Sequence, residues 1–271
     1  MKKPVILQLA NSDWLVEVTL CGGQLLRAWH RSSPHAVIFC GERARIEAGT
    51  AIRGGVPICW PWFGASPVEG RPIQGFARTA LWEIDAWERD FIRMILPENN
   101  VPSNLRDFPF ELASEIRLAD SLNLALVMKN CGSEPVDISC ALHTYFAVSD
   151  CEKVSVSGLE NAPFTVKGGA EQPGEKSPVS IHGEVCRLYC PQCSTVTIDD
   201  PAWRRKIVIE KSNSNSTLLW NPGAKRCAQI ADLADSEYHD FLCVEANRAG
   251  GDVLVLAPGE TAEMSQRIQM I

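Results

Sequence analysis

The sequence predicts an all-β protein, a sandwich or a barrel, because most of its segments alternate with period two and short polar turns join them. In residues 14–20 and 122–128 every second residue is apolar, which places these side chains on one face of an extended segment. Helical patterns are few and short, and we expect single turns only at Arg43–Ala48 and Asp235–His239. The balance therefore favours many strands and little helix.

The middle of the chain predicts a hairpin. The alternating segment Leu122–Met128 is followed by the turn Cys131–Pro135 and by a second alternating segment, Val136–Phe146. Later segments have the same pattern and are bounded by turn residues such as Pro258-Gly259. The later candidate strands are Val154–Val156, Val185–Tyr189, Ser194–Ile198, Ile207–Glu210, Ser216–Trp220, Phe241–Ala246, Val253–Leu256 and Thr261–Ile268. No linker or low-complexity tract interrupts the chain, so we expect residues 1–271 to form one domain.

Composition excludes several classes of partner. The chain has 271 residues, a net charge of -7 and no basic stripe, so we expect no nucleic-acid partner. No segment approaches the ~20 apolar residues of a membrane span, so we expect no membrane contact. The apolar run at the N-terminus is broken by Gln8 and is too short for an export signal. We therefore expect a cytoplasmic protein whose 11 cysteines are reduced thiols.

The stretch Ile52–Arg78 is neither a regular helix nor a plain strand, because glycine, proline and aromatic residues dominate it. Trp62 and Phe63 are large rigid faces that suit either a core or a sugar platform. Arg53 and Arg78 bracket the stretch, and their planar guanidinium groups suit phosphate or carboxylate. The stretch is thus either a loop that plugs the core or the floor of a binding pocket.

Two titratable residues are candidates for chemistry. Alternation within Val136–Phe146 directs His143 to the more polar face of its strand, on the same side as Tyr145. Glu245 lies inside an otherwise apolar strand, where burial without a partner would raise its pKa. His143 is accordingly either a solvated or a catalytic residue. Glu245 is either a general base or an ion-pair partner of an arginine such as Arg248.

A metal site is the weaker alternative. His182, Cys186, Cys190 and Cys193 have the residue types of a zinc site. However, Val185–Tyr189 is predicted to be a strand, which would separate the ligands, so we expect no metal. Nucleotide-binding and nucleophile-elbow motifs are absent from the sequence.

Seven short blocks, spread over nearly the whole chain, resemble one known family in order. The blocks are Ile52–Pro57, Trp60–Gly64, Gly75–Arg78, Leu142–Phe146, Val156–Leu159, Trp220–Gly223 and Cys243–Glu245. The chain thereby resembles the aldose 1-epimerases, and more closely their hexose-6-phosphate branch. The resemblance implies a large antiparallel β-sandwich of the galactose mutarotase type. It also implies interconversion of the α and β anomers of hexose 6-phosphates, without a cofactor and by a monomer.

By this resemblance Glu245 is the base and His143 the acid of ring opening, while Arg53 and Arg78 hold the 6-phosphate and Trp62 or Phe63 forms the floor. Two positions depart from the family. Gln74 stands where the family usually has histidine, and Cys186 replaces the aspartate of an Asp-Arg-Val-Tyr block.

Gln74 is retained as a candidate ligand for a sugar hydroxyl, and Arg187, from the same block as Cys186, as one for phosphate or hydroxyl. The two departures also keep an alternative open, a non-catalytic protein that binds sugar phosphates on the same fold.

Overall fold

The computed structural model describes residues 5–192 and 195–271, and it confirms the all-β prediction. In this part of the chain, antiparallel strands form two large sheets and one small ribbon. The strands of the first half are β1 Ile6–Ala10, β2 Trp14–Thr19, β3 Gln24–His30, β4 Ala36–Ile38, β5 Ile58–Cys59, β6 Glu83–Trp87, β7 Phe91–Ile95, β8 Phe110–Leu118, β9 Leu122–Asn130, β10 Val136–Ile138, β11 Cys140–Leu142 and β12 Tyr145–Ala147. Those of the second half are β13 Ser155–Ser157, β14 Phe164–Val166, β15 Glu171–Gln172, β16 Val179–Ser180, β17 Val185–Tyr189, β18 Val196–Asp200, β19 Arg205–Ser212, β20 Ser216–Asn221, β21 Phe241–Arg248, β22 Leu254–Leu256 and β23 Thr261–Met270.

Helical structure is limited to short pieces. An α-helix, α1, covers Gly223–Cys227. Four 3₁₀ turns lie at Ala77–Thr79, Glu98–Asn100, Ser103–Leu105 and Glu237–His239. The turn expected near Asp235–His239 is thus present, whereas Arg43–Ala48 is irregular and that prediction was wrong. No helix in residues 5–192 or 195–271 is long and apolar enough to cross a membrane.

The two large sheets enclose the core. The first has the order β1-β2-β3-β4-β12-β21-β20-β17-β14-β15, with β11 and β5 joined beside β21. The second has the order β16-β13-β18-β19-β23-β9-β8-β7-β6. Their inner faces contribute buried apolar residues to one continuous cluster, with Val244 from the first sheet and Ile268 from the second. Alternation within the strands follows from this packing, since only one face of each strand meets the core.

The predicted hairpin between Leu122–Met128 and Val136–Phe146 does not form. Strand β9 pairs with β8 on one side and β23 on the other, so neither edge is free. The chain after the turn crosses to other partners, where β10 pairs with β22 and β11 and β12 both pair with β21. Turn chemistry and alternation were correct locally, but the partner is set by the whole sheet.

Candidate active site

His143 and Glu245 lie opposite each other on neighbouring strands of the first sheet. The register between β11 and β21 pairs Leu142 with Ala246, and the register between β12 and β21 pairs Tyr145 with Cys243. Both pairings belong to one continuous register, so His143 falls directly across from Glu245. Residues that face each other on adjacent strands point to the same side of the sheet. We call this side the site face.

The expected single strand Val136–Phe146 is interrupted at Ser139 and again at His143 and Thr144. The amide of Thr144 donates to the carbonyl of Leu142 at 2.9 Å, a tight local bond that replaces ladder bonding at this point. The amide of His143 donates instead to the carbonyl of Pro57 at 3.0 Å. Alternation nevertheless continues through the break, because the register on either side is the same. His143 therefore shares a face with Tyr145, as the sequence predicts, but this face is buried rather than polar.

The two side chains touch in a buried environment. His143 Nδ1 and Glu245 Oε1 are 3.2 Å apart, and the whole residues are 9% and 0% exposed respectively. The approach is not aligned for a hydrogen bond, so neither atom has a hydrogen-bond partner among the described residues. Asn247 Nδ2 donates to the second carboxyl oxygen, Oε2, at 3.2 Å. Arg248 instead pairs with Asp252 at 3.1 Å, which removes the ion pair with Arg248 considered above for Glu245.

Burial favours the neutral form of both side chains, and the nearby positive charges add to this effect for His143 only. Burial raises the pKa of Glu245 well above 4.5, against the Asn247 hydrogen bond and the Arg78 charge, which lower it. Burial, followed by the positive charges of Arg78 and Arg53, lowers the pKa of His143 to about 3. Both shifts favour a neutral imidazole beside a protonated carboxyl group. Moving that proton from Glu245 to His143 would create a base and an acid side by side.

A glutamine from the opposite sheet holds the backbone beneath the pair. Gln266 on β23 is buried, and its Oε1 accepts the hydroxyl of Thr144 at 2.6 Å. Its Nε2 donates to the carbonyl of Val244 at 3.3 Å. Thr144 and Val244 are the chain neighbours of His143 and Glu245. One core side chain therefore fixes both strands at the level of the pair.

Aromatic rings enclose His143. The imidazole stacks on Tyr145 with ring centres 4.9 Å apart, and Trp220 meets it edge-on at 5.8 Å. Trp220 pairs with Cys243 across β20 and β21, which places it on the site face. The sequence alone does not place Trp220 at the site, because its face becomes known only with the register. The aromatic wall helps to exclude water from the pair.

The two arginines approach the pair from opposite ends. The amide of Tyr145 donates to the carbonyl of Gly55 at 3.0 Å, and the amide of His143 donates to that of Pro57 at 3.0 Å. These bonds hold residues 55–59 alongside β11 and β12. Arg53 precedes this segment at its Tyr145 end, and its Nη1 donates to the Tyr145 hydroxyl at 3.4 Å. Arg78 lies at the other end, because Gly75 bridges to Trp60.

Arg78 has one unsatisfied donor. Its Nη2 donates to the carbonyl of Ile73 at 3.1 Å. Its Nε is buried without a hydrogen-bond partner among the described residues. The two guanidinium groups thus bring positive charge to either side of His143, as the lowered pKa of that imidazole reflects. Such an arrangement suits an anionic ligand.

Three predicted ligands serve other contacts. Gln74 is in the left-handed region (φ 66) and its Oε1 accepts the amide of Gly64 at 2.8 Å, closing the loop between them. Trp62 is buried in the core, and its indole N–H donates to Pro72 at 2.9 Å. Arg187 pairs with Leu219, which puts it on the face opposite the site face.

There Arg187 binds Glu175 at 2.9 Å and covers the ring of Phe164 at 4.8 Å. The structure therefore does not bring Trp62 or Arg187 to the pair. Gln74 instead closes the loop that begins at Gly64.

The cysteines considered as metal ligands do not converge. Cys186 and Cys190 lie four residues apart along β17 and its extension, about 13 Å at the rise of a strand, too far to share one zinc ion. His182 is exposed before β17, and Cys193 lies outside the described residues. Cys186 pairs with Trp220 and so lies on the site face, half-buried. Burial raises the pKa of this thiol, which keeps it neutral.

A separate group of potential ligands lies away from this face. Ligand atoms of Asp150, Cys151 and His239 fall within 4.8 Å of one another. Asp150 already binds His239 at 3.0 Å and Lys153 at 2.9 Å. Both oxygens of the Asp150 carboxyl group are therefore already paired. We therefore treat this group as an ion-paired network.

Known proteins match this chain over nearly its whole length. The family model described as aldose 1-epimerase matches residues 6–269. A protein of Cenchrus ciliaris, provisionally named glucose-6-phosphate 1-epimerase, is 30% identical over 260 residues, covering 90% of this chain and 78% of that protein. A protein of Escherichia coli K12 with the same provisional name is 27% identical over 253 residues, covering 92% and 84%. The crystal structure of a provisionally named mutarotase from Salmonella typhimurium has the same fold, with a TM-score of 0.88 at 24% identity, covering 98% of this chain and 90% of that one.

Proposed function

The chain belongs to the aldose 1-epimerase family, and we propose that it interconverts the α and β anomers of hexose 6-phosphates. The observation that carries the proposal is the buried contact of His143 and Glu245 at 3.2 Å, with an arginine at either end. An acid, a base and an anion site are the groups that the reaction needs. The provisional names of the relatives agree with a sugar 6-phosphate as substrate.

The chemistry follows from the placement of one proton. With the proton on His143, Glu245 removes the hydrogen of the anomeric hydroxyl, O1, and the electron pair forms the C1=O1 double bond. The C1–O5 bond breaks, and O5 takes the proton from His143. The open aldehyde rotates about C1–C2, and the same steps in reverse close the ring on its other face. Both residues return to their starting forms, so no net proton is consumed.

The phosphate itself favours the active form of the pair. In the free site, Arg53 and Arg78 disfavour a proton on His143. A phosphate dianion bound to these arginines offsets their charge. Offsetting Arg78 raises the pKa of both His143 and Glu245, whereas the Arg53 charge lowers only that of His143, so His143 becomes the better proton acceptor relative to Glu245. Binding energy from the far end of the substrate is thus used to move the proton from Glu245 to His143. We expect unphosphorylated hexoses to react more slowly for this reason.

The test is anomer exchange of glucose 6-phosphate, followed by NMR magnetisation transfer. We expect the protein to accelerate exchange and Glu245→Gln to lose about 10²- to 10⁴-fold, the usual contribution of a general base. Glu115→Gln, which removes an ion pair with Arg93 on the second sheet, is the matched control and should keep full activity. If the unmodified protein accelerates exchange of neither glucose, mannose nor galactose 6-phosphate, the proposal fails.

The second candidate is a binding protein without turnover. It is favoured by Cys186, a neutral thiol on the site face where the family carries a carboxylate. It requires glucose 6-phosphate to bind with an affinity that depends on Arg53 and Arg78, while Glu245→Gln changes nothing but affinity. Calorimetry with Arg53→Ala tests the phosphate-dependent binding that both candidates require. The exchange assay separates the two, since only the enzyme shows exchange that Glu245→Gln slows.

A further inference from the structure

Arg53 is held in place before any ligand arrives. Its Nε lies 3.2 Å from Asp232 Oδ1, and its Nη1 donates to the Tyr145 hydroxyl at 3.4 Å. Its carbonyl accepts the amide of Gly41 at 3.0 Å. The side chains of Arg53 and Asp232 are 27% and 24% exposed, so the pair is partly shielded from water. Two contacts at different nitrogens fix the plane of a guanidinium group, which one contact cannot do.

Asp232 is itself anchored to the turn that holds Arg53. Arg43 Nη1 donates to the carbonyl of the next residue, Leu233, at 3.3 Å, and Leu233 is buried. Glu237 bridges the two segments, because its carboxyl oxygens accept the amides of Glu42 at 2.8 Å and Ala234 at 2.6 Å. The loop with Asp232 and the turn that begins at Gly41 therefore move together. This degree of anchoring exceeds that of an ordinary surface ion pair.

We propose that Asp232 is a positioning residue that directs the Arg53 guanidinium toward the 6-phosphate of the substrate. The inference rests on the proposed function, since it names the group that prepares its anion site. With Nε committed to Asp232 and Nη1 to Tyr145, Nη2 at the outer end of the guanidinium remains for the phosphate. An arginine already held in its bound rotamer loses less conformational freedom when the ligand binds.

A purely electrostatic view makes the opposite prediction. A carboxylate near a phosphate dianion repels it, so removal of Asp232 would then tighten binding. A positioning role requires binding to weaken instead. The sign of one measured change thus distinguishes the two views.

The experiment measures kcat and KM for glucose 6-phosphate and for unphosphorylated glucose in three variants. Asp232→Ala removes the acceptor, and we expect KM for glucose 6-phosphate to rise about 3- to 10-fold, the effect of freeing one long side chain, with kcat within about twofold. Asp232→Asn keeps an oxygen that can accept from Nε, so we expect a smaller rise. Asp85→Ala, which breaks an exposed ion pair with Arg93 on the other sheet, is the matched control and should change neither constant.

The outcomes are decisive in each direction. For glucose, which has no phosphate, we expect kcat/KM of Asp232→Ala to stay within about twofold, whereas damage to the fold would reduce it for both substrates. An unchanged or lowered KM for glucose 6-phosphate, or equal losses for both substrates, overturns the proposal. If the unmodified protein shows no exchange, the proposed function fails, and calorimetry with inorganic phosphate decides the positioning role. Weaker phosphate binding in Asp232→Ala supports it, and equal binding overturns it.

Discussion

The protonation of the buried pair predicts how stability responds to pH. In the folded protein the pKa of His143 is about 3, whereas in the unfolded chain a histidine titrates near 6.5. Below pH 6.5 the unfolded state therefore binds a proton that the folded state does not. The His143 contribution thus lowers the free energy of unfolding as pH falls, by ~1.4 kcal/mol per pH unit between about 6.5 and 3. At pH 5 the loss amounts to about 2 kcal/mol relative to pH 7.5.

Glu245 contributes with the opposite sign. Its pKa is raised in the folded state, so above pH 4.5 the unfolded chain releases a proton that the folded protein keeps. This contribution lowers stability as pH rises. The two contributions oppose each other between about pH 4.5 and 6.5, so single variants are needed to separate them.

The assay is urea unfolding of three proteins at pH 7.5 and pH 5.0. From pH 7.5 to pH 5.0, His143→Gln should gain about 2 kcal/mol relative to the unmodified protein, because it lacks the histidine contribution. Glu245→Gln should lose stability relative to the unmodified protein over the same change. If His143→Gln instead loses stability relative to the unmodified protein over this change, the folded imidazole is charged and the reasoning is refuted. If neither variant differs from the unmodified protein, neither group has a shifted pKa.

Three further predictions concern the support of the site. Gly75→Ala should lower the free energy of unfolding by about 2 kcal/mol or more, because φ at Gly75 is 70 and an added Cβ would lie 2.0 Å from the Trp60 carbonyl oxygen. A loss below about 0.5 kcal/mol in urea unfolding would contradict this. Gln266→Leu should cost about 1–3 kcal/mol and slow anomer exchange, because it removes the hydrogen bonds of Gln266 to the Thr144 hydroxyl and the Val244 carbonyl. Unchanged exchange would show that this support is dispensable. Inorganic phosphate should accelerate exchange of unphosphorylated glucose by binding between Arg53 and Arg78. If chloride at matched ionic strength stimulates exchange equally, the effect is not specific to phosphate and the prediction fails.

Local pattern was sufficient for most strands from Leu122 onward, whereas β1, β3 to β8 and β14 to β16 were not predicted. The bounds Val185–Tyr189 were predicted as observed, and Phe241–Ala246 lies within β21. The reason is that burial of one face imposes alternation, which the sequence displays directly. Partner choice was not predictable in the same way. The break at His143 depends on a bond to Pro57, 86 residues earlier in the chain, and no local signal encodes it.

The candidate site was predictable by residue type more than by geometry. A lone carboxylate in an apolar strand pointed to Glu245, and its complete burial agrees with that interpretation. Arg187 and Trp62 had suitable chemistry, but the side on which each lies follows from sheet register and core packing. Asp232 shows the same limit, since its partner Arg53 is 179 residues away and only the fold joins them.

The acid–base pair stands on strands and the proposed anion site on loops, and this difference has an evolutionary consequence. His143 and Glu245 face each other across adjacent strands, so the spacing of the sheet sets their separation, and a neighbouring strand cannot drift without breaking its ladder. Arg53 and Asp232 stand on loops, which accept substitution and insertion more readily. Exchange of those loops could therefore redirect the protein to a sugar with a different charged group while the same proton transfer continues beneath it. Under the proposed function, the ring-opening chemistry thus depends on the sheet and the choice of substrate on the loops, so the two can change separately in evolution.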